Sequence, residues 1–89
     1  MRIQLDFDEL GVELVEELQR LTGCRTYKDL FNNAISLLDW SVRQRLEGRK
    51  IISVDARDGA AKELVMPVLQ HAAQLGEREA AAAEPALSR

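Results

Sequence analysis

The stretch "RIQLDFDEL", residues 2–10, decides how the rest of the chain is interpreted. Polar and apolar side chains alternate through residues 2–7, which is the period of a half-buried β-strand. The alternation places Arg2, Gln4 and Asp6 on one face of the strand and Ile3, Leu5 and Phe7 on the other. No other strand lies nearby in the sequence, so the backbone groups of this segment need a partner from elsewhere.

Length and composition favour a core that is shared between two copies. The chain has 89 residues, 46% of them hydrophobic but with only one Trp, one Tyr and two Phe. A domain of this size buries barely enough apolar surface to be stable by itself, and oligomerisation often supplies the remainder. We therefore expect a homodimer.

Several classes of protein and site are not indicated. Cys24 and His71 are the only cysteine and the only histidine, so the sequence predicts neither an intramolecular disulfide nor a metal site. It contains no nucleophile–base pair and no glycine-rich phosphate loop, so we expect neither an enzyme nor a cofactor. The absence of a signal peptide and of a long apolar run predicts a cytoplasmic protein without a membrane partner.

Two amphipathic helices are predicted after the strand. In the first, leucines recur at helical spacing at positions 10, 14, 18 and 21, between an N-cap at Asp8 and a stop at Gly23. The second opens with Thr26 and Asp29 at the spacing of a capping box and closes at Gly48. Its apolar side chains cover a broad face: Leu30, Phe31, Ala34, Ile35, Leu37, Leu38, Val42 and Leu46.

A β-hairpin and a flexible tail are predicted for the C-terminal part. The β-branched "KIISVD" and the later "KELVMPVL" flank a turn near Asp58 and Gly59, and Pro67 confines the second strand to an edge or ends it. The alanine-rich remainder has few large apolar groups and is predicted to be flexible. The predicted divisions are residues 1–48, the hairpin extension 49–69 and the tail 70–89.

The order strand, helix, short turn and longer helix resembles the ribbon-helix-helix family of the Arc and MetJ type. The resemblance rests on the alternating "RIQLDF", the helix-opening "DEL", the turn "TGCRT" and the apolar positions of "YKDLFNNAISLLDW". It covers a little over half of the chain. It implies a mainly α fold with short β segments. It also implies an intertwined ribbon-helix-helix homodimer, in which the two N-terminal strands pair antiparallel across a twofold axis.

The same resemblance implies a DNA-binding transcriptional regulator with three sets of site residues. The polar face of the ribbon, Arg2, Gln4 and Asp6, would enter the major groove of double-stranded DNA and contact bases. The start of the second helix, Arg25, Thr26, Tyr27 and Lys28, would hold a phosphate. The dimer core would comprise Ile3, Leu5, Phe7, Leu14, Leu18, Leu30, Ile35, Leu38 and Trp40.

The charge balance keeps a second class of function open. Residues 1–47 contain six Lys or Arg and nine Asp or Glu, a net charge of −3 that weakens non-specific attraction to DNA. The alternative is a dimeric protein-interaction module, such as an antitoxin or an adaptor, with weak or no DNA binding. The hairpin would either enlarge the core or offer an edge to a partner protein or to a further copy, giving a higher oligomer.

Overall fold

The computed structural model of the protein describes residues 2–83. It is mainly helical and contains one two-stranded antiparallel sheet, as predicted. No helix among these residues is long and apolar enough to cross a bilayer. In chain order the elements are α1 (Glu9–Thr22), α2 (Tyr27–Leu46), β1 (Ile52–Val54), β2 (Ala61–Glu63) and α3 (Pro67–Ala83).

The predicted ends of α1 are confirmed. The carboxylate of Asp8 accepts a hydrogen bond from the backbone N–H of Gly11 at 2.8 Å, which satisfies a donor in the first helical turn. Gly23 follows the helix with φ of +74°, and its N–H donates to the carbonyl of Gln19 at 3.0 Å. This left-handed conformation is one that glycine adopts without a steric penalty.

The predicted second helix is also present. Its N-cap is Thr26, whose Oγ1 accepts the backbone N–H of Asp29 at 3.1 Å. At the other end Gly48 has φ of +82° and donates its N–H to the carbonyl of Arg45. The helix of 20 residues thus begins and ends where the capping residues are placed in the sequence.

The described residues divide into two compact units, 2–36 and 37–83. In the first unit, residues 2–8 form no regular secondary structure. The predicted strand therefore does not form in the single chain, because the described residues provide no second strand beside it. The ring of Phe7 stacks on Phe31 with centroids 5.9 Å apart, and Leu30 is buried.

The second unit contains the predicted hairpin in a shorter form. Ile52 pairs with Glu63, Ser53 with Lys62 and Val54 with Ala61. The turn lies near Asp58 and Gly59 as predicted, with Gly59 at φ of +74°. The second strand ends at residue 63, however, and does not continue to residue 69.

The prediction of a flexible tail over residues 70–89 is wrong for residues 70–83. These residues belong to α3, and Pro67 begins that helix instead of ending a strand. Proline suits the first helical position because its fixed φ is helical and its missing N–H has no partner there. Leu69, Ala72 and Gly76 are buried, so the helix packs against the rest of its unit. The remaining residues of the predicted tail, 84–89, lie outside the described part of the chain.

Candidate nucleic-acid interface

The start of α2 presents backbone donors that could hold an anion. Thr26 satisfies the N–H of Asp29, and the carbonyl of Thr26 accepts the N–H of Leu30 at 3.2 Å. The N–H groups of Tyr27 and Lys28 have no hydrogen-bond partner among residues 2–83. Since the positive end of the helix dipole lies at the same place, this turn favours a negatively charged group, although the Asp29 carboxylate reduces the effect.

Two cations flank these donors. Arg25 and Lys28 are exposed, and neither takes part in an ion pair with any residue that the structure describes. By contrast, Arg20 in the same unit is paired with Glu17 three residues earlier. Arg25 and Lys28 are therefore available to an external anion, whereas the charge of Arg20 is already compensated.

The N-terminal segment lies beside the start of α2. Leu5 and Phe7 line a groove of about 240 Å³ together with Tyr27 and Phe31. Ile3 and Leu5 line a second, wider groove of about 410 Å³ with the same two aromatic residues. The apolar positions of residues 2–7 thus face α2, which places this segment next to the helix turn that carries Lys28.

The three predicted base-contacting residues are exposed, but they are not equivalent. Arg2 and Gln4 do not line either of these grooves. Asp6, although it belongs to the polar half of the alternation, lines the smaller groove together with Leu5 and Tyr27. The segment therefore presents Arg2 and Gln4 to solvent, while Asp6 lies at the rim of an apolar surface.

The predicted dimer-core residues are mostly exposed in the single chain. Leu30 is the exception, with 6% of its surface accessible. The other eight range from 40% to 71% accessible: Ile3, Leu5, Phe7, Leu14, Leu18, Ile35, Leu38 and Trp40. None of the α1 residues is buried. The leucines of α1 therefore form an apolar face that remains in contact with water in the single chain.

The charges of the first unit are unevenly distributed. Residues 2–36 contain four Lys or Arg and seven Asp or Glu, a net charge of −3, whereas the two signs balance in residues 37–83. Four of the acids lie on α1: Glu9, Glu13, Glu16 and Glu17. The side-chain hydrogen bond from Arg20 holds the pKa of Glu17 below its ordinary value. The negative charge of this unit is thus concentrated on α1. The cations Arg2, Arg25 and Lys28, unpaired among the described residues, lie before and after that helix.

Three apolar residues contribute to this site although the sequence did not predict them as site residues; Phe31 was predicted only to pack in the dimer core or under the hairpin. Phe31 stacks on Phe7, and Val12 and Val15 complete the smaller groove. Val12 and Val15 are three residues apart and therefore lie on one side of α1, which is a signal that the sequence does contain. The stacking of Phe7 on Phe31 joins residues 24 positions apart and has no counterpart in local periodicity.

No group of three or more His, Cys, Asp or Glu side chains that could hold a metal ion occurs within residues 2–83. Comparison of the chain with protein-family models, with curated proteins and with solved structures found no match in any of the three.

Proposed function

We propose that the protein is a homodimeric, sequence-specific DNA-binding regulator of the ribbon-helix-helix type. Two features within residues 2–28 together carry the proposal. The first is the segment 2–7, whose side chains alternate in polarity and which pairs with no strand among the described residues. The second is the start of α2, where backbone N–H groups without an acceptor among residues 2–83 lie beside the unpaired cations Arg25 and Lys28. Each of these features is incomplete in the single chain. A second copy would complete the first, and a DNA backbone would complete the second.

The dimer is supported by apolar surface that remains in water. Ile3 and Leu5 are 71% and 57% accessible, and Leu14 on α1 is 60% accessible. Complete burial of one such side chain contributes about 1.5–3 kcal/mol. The antiparallel pairing of residues 2–7 with the same segment of a second copy would also satisfy their backbone N–H and C=O groups.

DNA contact is supported by the chemistry of the exposed side chains. Arg2 is able to donate two hydrogen bonds to guanine, and Gln4 is able to bind adenine through two hydrogen bonds. A two-stranded ribbon fits the major groove. The donors at Tyr27 and Lys28 with the adjacent cations would then hold the phosphate backbone and fix the position of the ribbon.

The acidic residues limit the affinity that such a protein has for arbitrary DNA. Glu9, Glu13 and Glu16 repel phosphates, and the repulsion extends over about one Debye length of 10 Å at 0.1 M salt. We therefore expect weak non-specific binding and a preference that depends on base contacts.

The test is a titration of the full chain with labelled duplex DNA from upstream of its own coding region, at 50–200 mM salt. Lys28→Ala should weaken binding to preferred and random duplexes alike. It should also flatten the plot of log affinity against log salt by about 0.9 for each phosphate that the variant no longer neutralises. The matched control is Lys62→Ala on the hairpin, which should leave the slope unchanged. A wild-type protein that binds no duplex at 50 mM salt would refute the proposal.

A protein-interaction module is the second candidate, and the charge of residues 2–36 is the observation that favours it. A net charge of −3 beside exposed leucines suits a basic protein partner better than a nucleic acid. A stable dimer without affinity for DNA at low salt is the result that this candidate predicts.

A further inference from the structure

The hairpin has two edges, and only one of them lacks charged residues. Asp55 donates its N–H to the carbonyl of Ala60 at 2.7 Å, and Leu64 donates to Ile51 at 2.8 Å. In an antiparallel ladder the bonded positions alternate, so positions 51, 53 and 55 face β2. The N–H and C=O groups of Ile52 and Val54 therefore point away from β2. No other strand among residues 2–83 pairs with them.

The two edges differ in what they would meet across a twofold axis. The β1 strand, "ISV", carries no charge, whereas β2 is "AKE". If two copies of β2 paired about Lys62, the two ammonium groups would lie directly opposite each other, which is unfavourable. If two copies of β1 paired about Ser53, two small hydroxyl side chains would lie there instead. Charge thus disfavours the pairing of β2 with itself about Lys62, whereas no charge within the strand opposes the pairing of β1 with itself about Ser53.

We propose that β1 pairs antiparallel with β1 of a second copy, with the twofold axis at Ser53. Ile52 of each copy then forms a hydrogen-bonded pair with Val54 of the other, and the two hairpins form one four-stranded sheet. Ile52 and Val54, 51% and 63% accessible in the single chain, become an apolar strip across the two central strands, with Ala61 beside Val54 and Glu63 beside Ile52 at its borders. Ser53 and Lys62 lie on the opposite face.

The balanced charge of the second unit is compatible with a second copy of the chain as the partner of β1. Residues 37–83 contain seven basic and seven acidic side chains, so two copies do not repel each other through net charge. Near the hairpin, Lys50 pairs with Glu63 and Arg57 with Asp55 within the same chain. The contact is small compared with the roughly 1,200 Å² of a stable interface, so its affinity is low. It is a second surface, and it requires neither DNA binding nor the dimer formed by residues 2–7.

Disulfide capture tests the pairing because it detects weak contacts with a defined geometry. In a Cys24→Ser background, Ser53→Cys places two thiols at a non-hydrogen-bonded pair whose Cα atoms lie about 4.5 Å apart, close enough for a disulfide. Lys62→Cys is the matched control on the same face of the hairpin. Its two copies would be separated by three strand spacings, roughly 14 Å. Both full-length variants are incubated in a buffer of oxidised and reduced glutathione.

We expect the Ser53→Cys variant to form covalent dimers at least tenfold faster than the Lys62→Cys variant. Adding Val54→Pro to both variants should abolish the difference in rate. Proline removes the N–H of residue 54, which points away from β2, and leaves the hydrogen bonds between β1 and β2 intact. Ala61→Pro, which removes an outward N–H from the other edge, should preserve the difference in rate. Circular dichroism identifies any variant that fails to fold, and Val54→Lys and Ala61→Lys then replace the proline pair. The proposal would be overturned if the two cysteine variants formed covalent dimers at equal rates, or if the substitution at Val54 left their difference in rate unchanged.

Discussion

The backbone of Leu46 lies directly against Gly76 of α3. A Cβ atom built on Gly76 would lie 3.0 Å from the Cα of Leu46 and closer still to its carbonyl oxygen. Real Cβ atoms do not approach backbone atoms so closely. The end of α2 and the middle of α3 are therefore in contact through backbone, and glycine at position 76 permits that contact.

Gly76→Ala should consequently destabilise the protein. In an exposed helix this substitution stabilises by about 1 kcal/mol, since alanine has the higher helix propensity. Here the added methyl group forces α3 away from Leu46, at a cost of about 1–3 kcal/mol. Urea unfolding measures the difference, and Gln74→Ala on the exposed side of α3 is the control. A Gly76→Ala variant that is more stable than the wild type would contradict the close packing.

Leu5→Glu should dissociate the proposed dimer while leaving the helices intact. Leu5 is exposed in the single chain, so the carboxylate meets water there but would be desolvated between two copies. Losing the burial of one leucine in each copy raises the dissociation constant about 100-fold or more. Sedimentation equilibrium measures it, with Gln4→Glu as the control on the polar face. If both variants remain equally dimeric, the ribbon is not the interface.

Asp6→Asn should strengthen binding to random DNA by about fivefold, which corresponds to roughly 1 kcal/mol for a unit charge a few ångströms from another in water. The substitution removes a carboxylate that would lie near the phosphates. Glu13→Gln on α1 is the matched control and should produce a smaller gain. If Asp6 also accepts a hydrogen bond from cytosine, the gain is accompanied by weaker discrimination at one base pair. Unchanged affinity for random duplexes would place Asp6 outside the DNA contact.

The hairpin turn should lose stability in acid. The Arg57 guanidinium holds the pKa of the Asp55 carboxyl below its ordinary value, and the backbone N–H of Arg57 acts in the same direction. Because the pKa is lower in the folded state, this contribution is present above the unfolded-state pKa of about 3.9. It disappears as the pH falls through the folded-state value. Arg57→Ala should therefore raise the Asp55 pKa in an NMR titration and reduce the fall in Tm between pH 6 and pH 2.

The helices α1 and α2 could be predicted from the sequence because their determinants are local. Asp8, Gly23, Thr26 and Gly48 lie at the helix ends, and the apolar side chains between them repeat with the period of a helix. The hairpin turn could be located for the same reason, since Gly59 supplies the positive φ that the turn requires.

The third helix could not be predicted in this way. Its stability depends on contacts distant in the sequence, such as that between Gly76 and Leu46, and alanine by itself indicates neither burial nor exposure. Pro67 is compatible with the end of a strand and with the first turn of a helix, so it did not discriminate. At the candidate site, the alternation separates Ile3, Leu5 and Phe7, which line the grooves, from Arg2 and Gln4, which do not. It could not reveal that Asp6 also borders the groove.

The stacking of Phe7 on Phe31 has a consequence for how two copies would associate. The interplanar angle is 5°, and the contact restrains the end of the N-terminal segment before any partner arrives. A preorganised segment loses less conformational entropy when it pairs than a free one does. In the proposed ribbon, the entropy cost of ordering would therefore be smaller at Phe7 than at Ile3 and Leu5, which are 71% and 57% accessible.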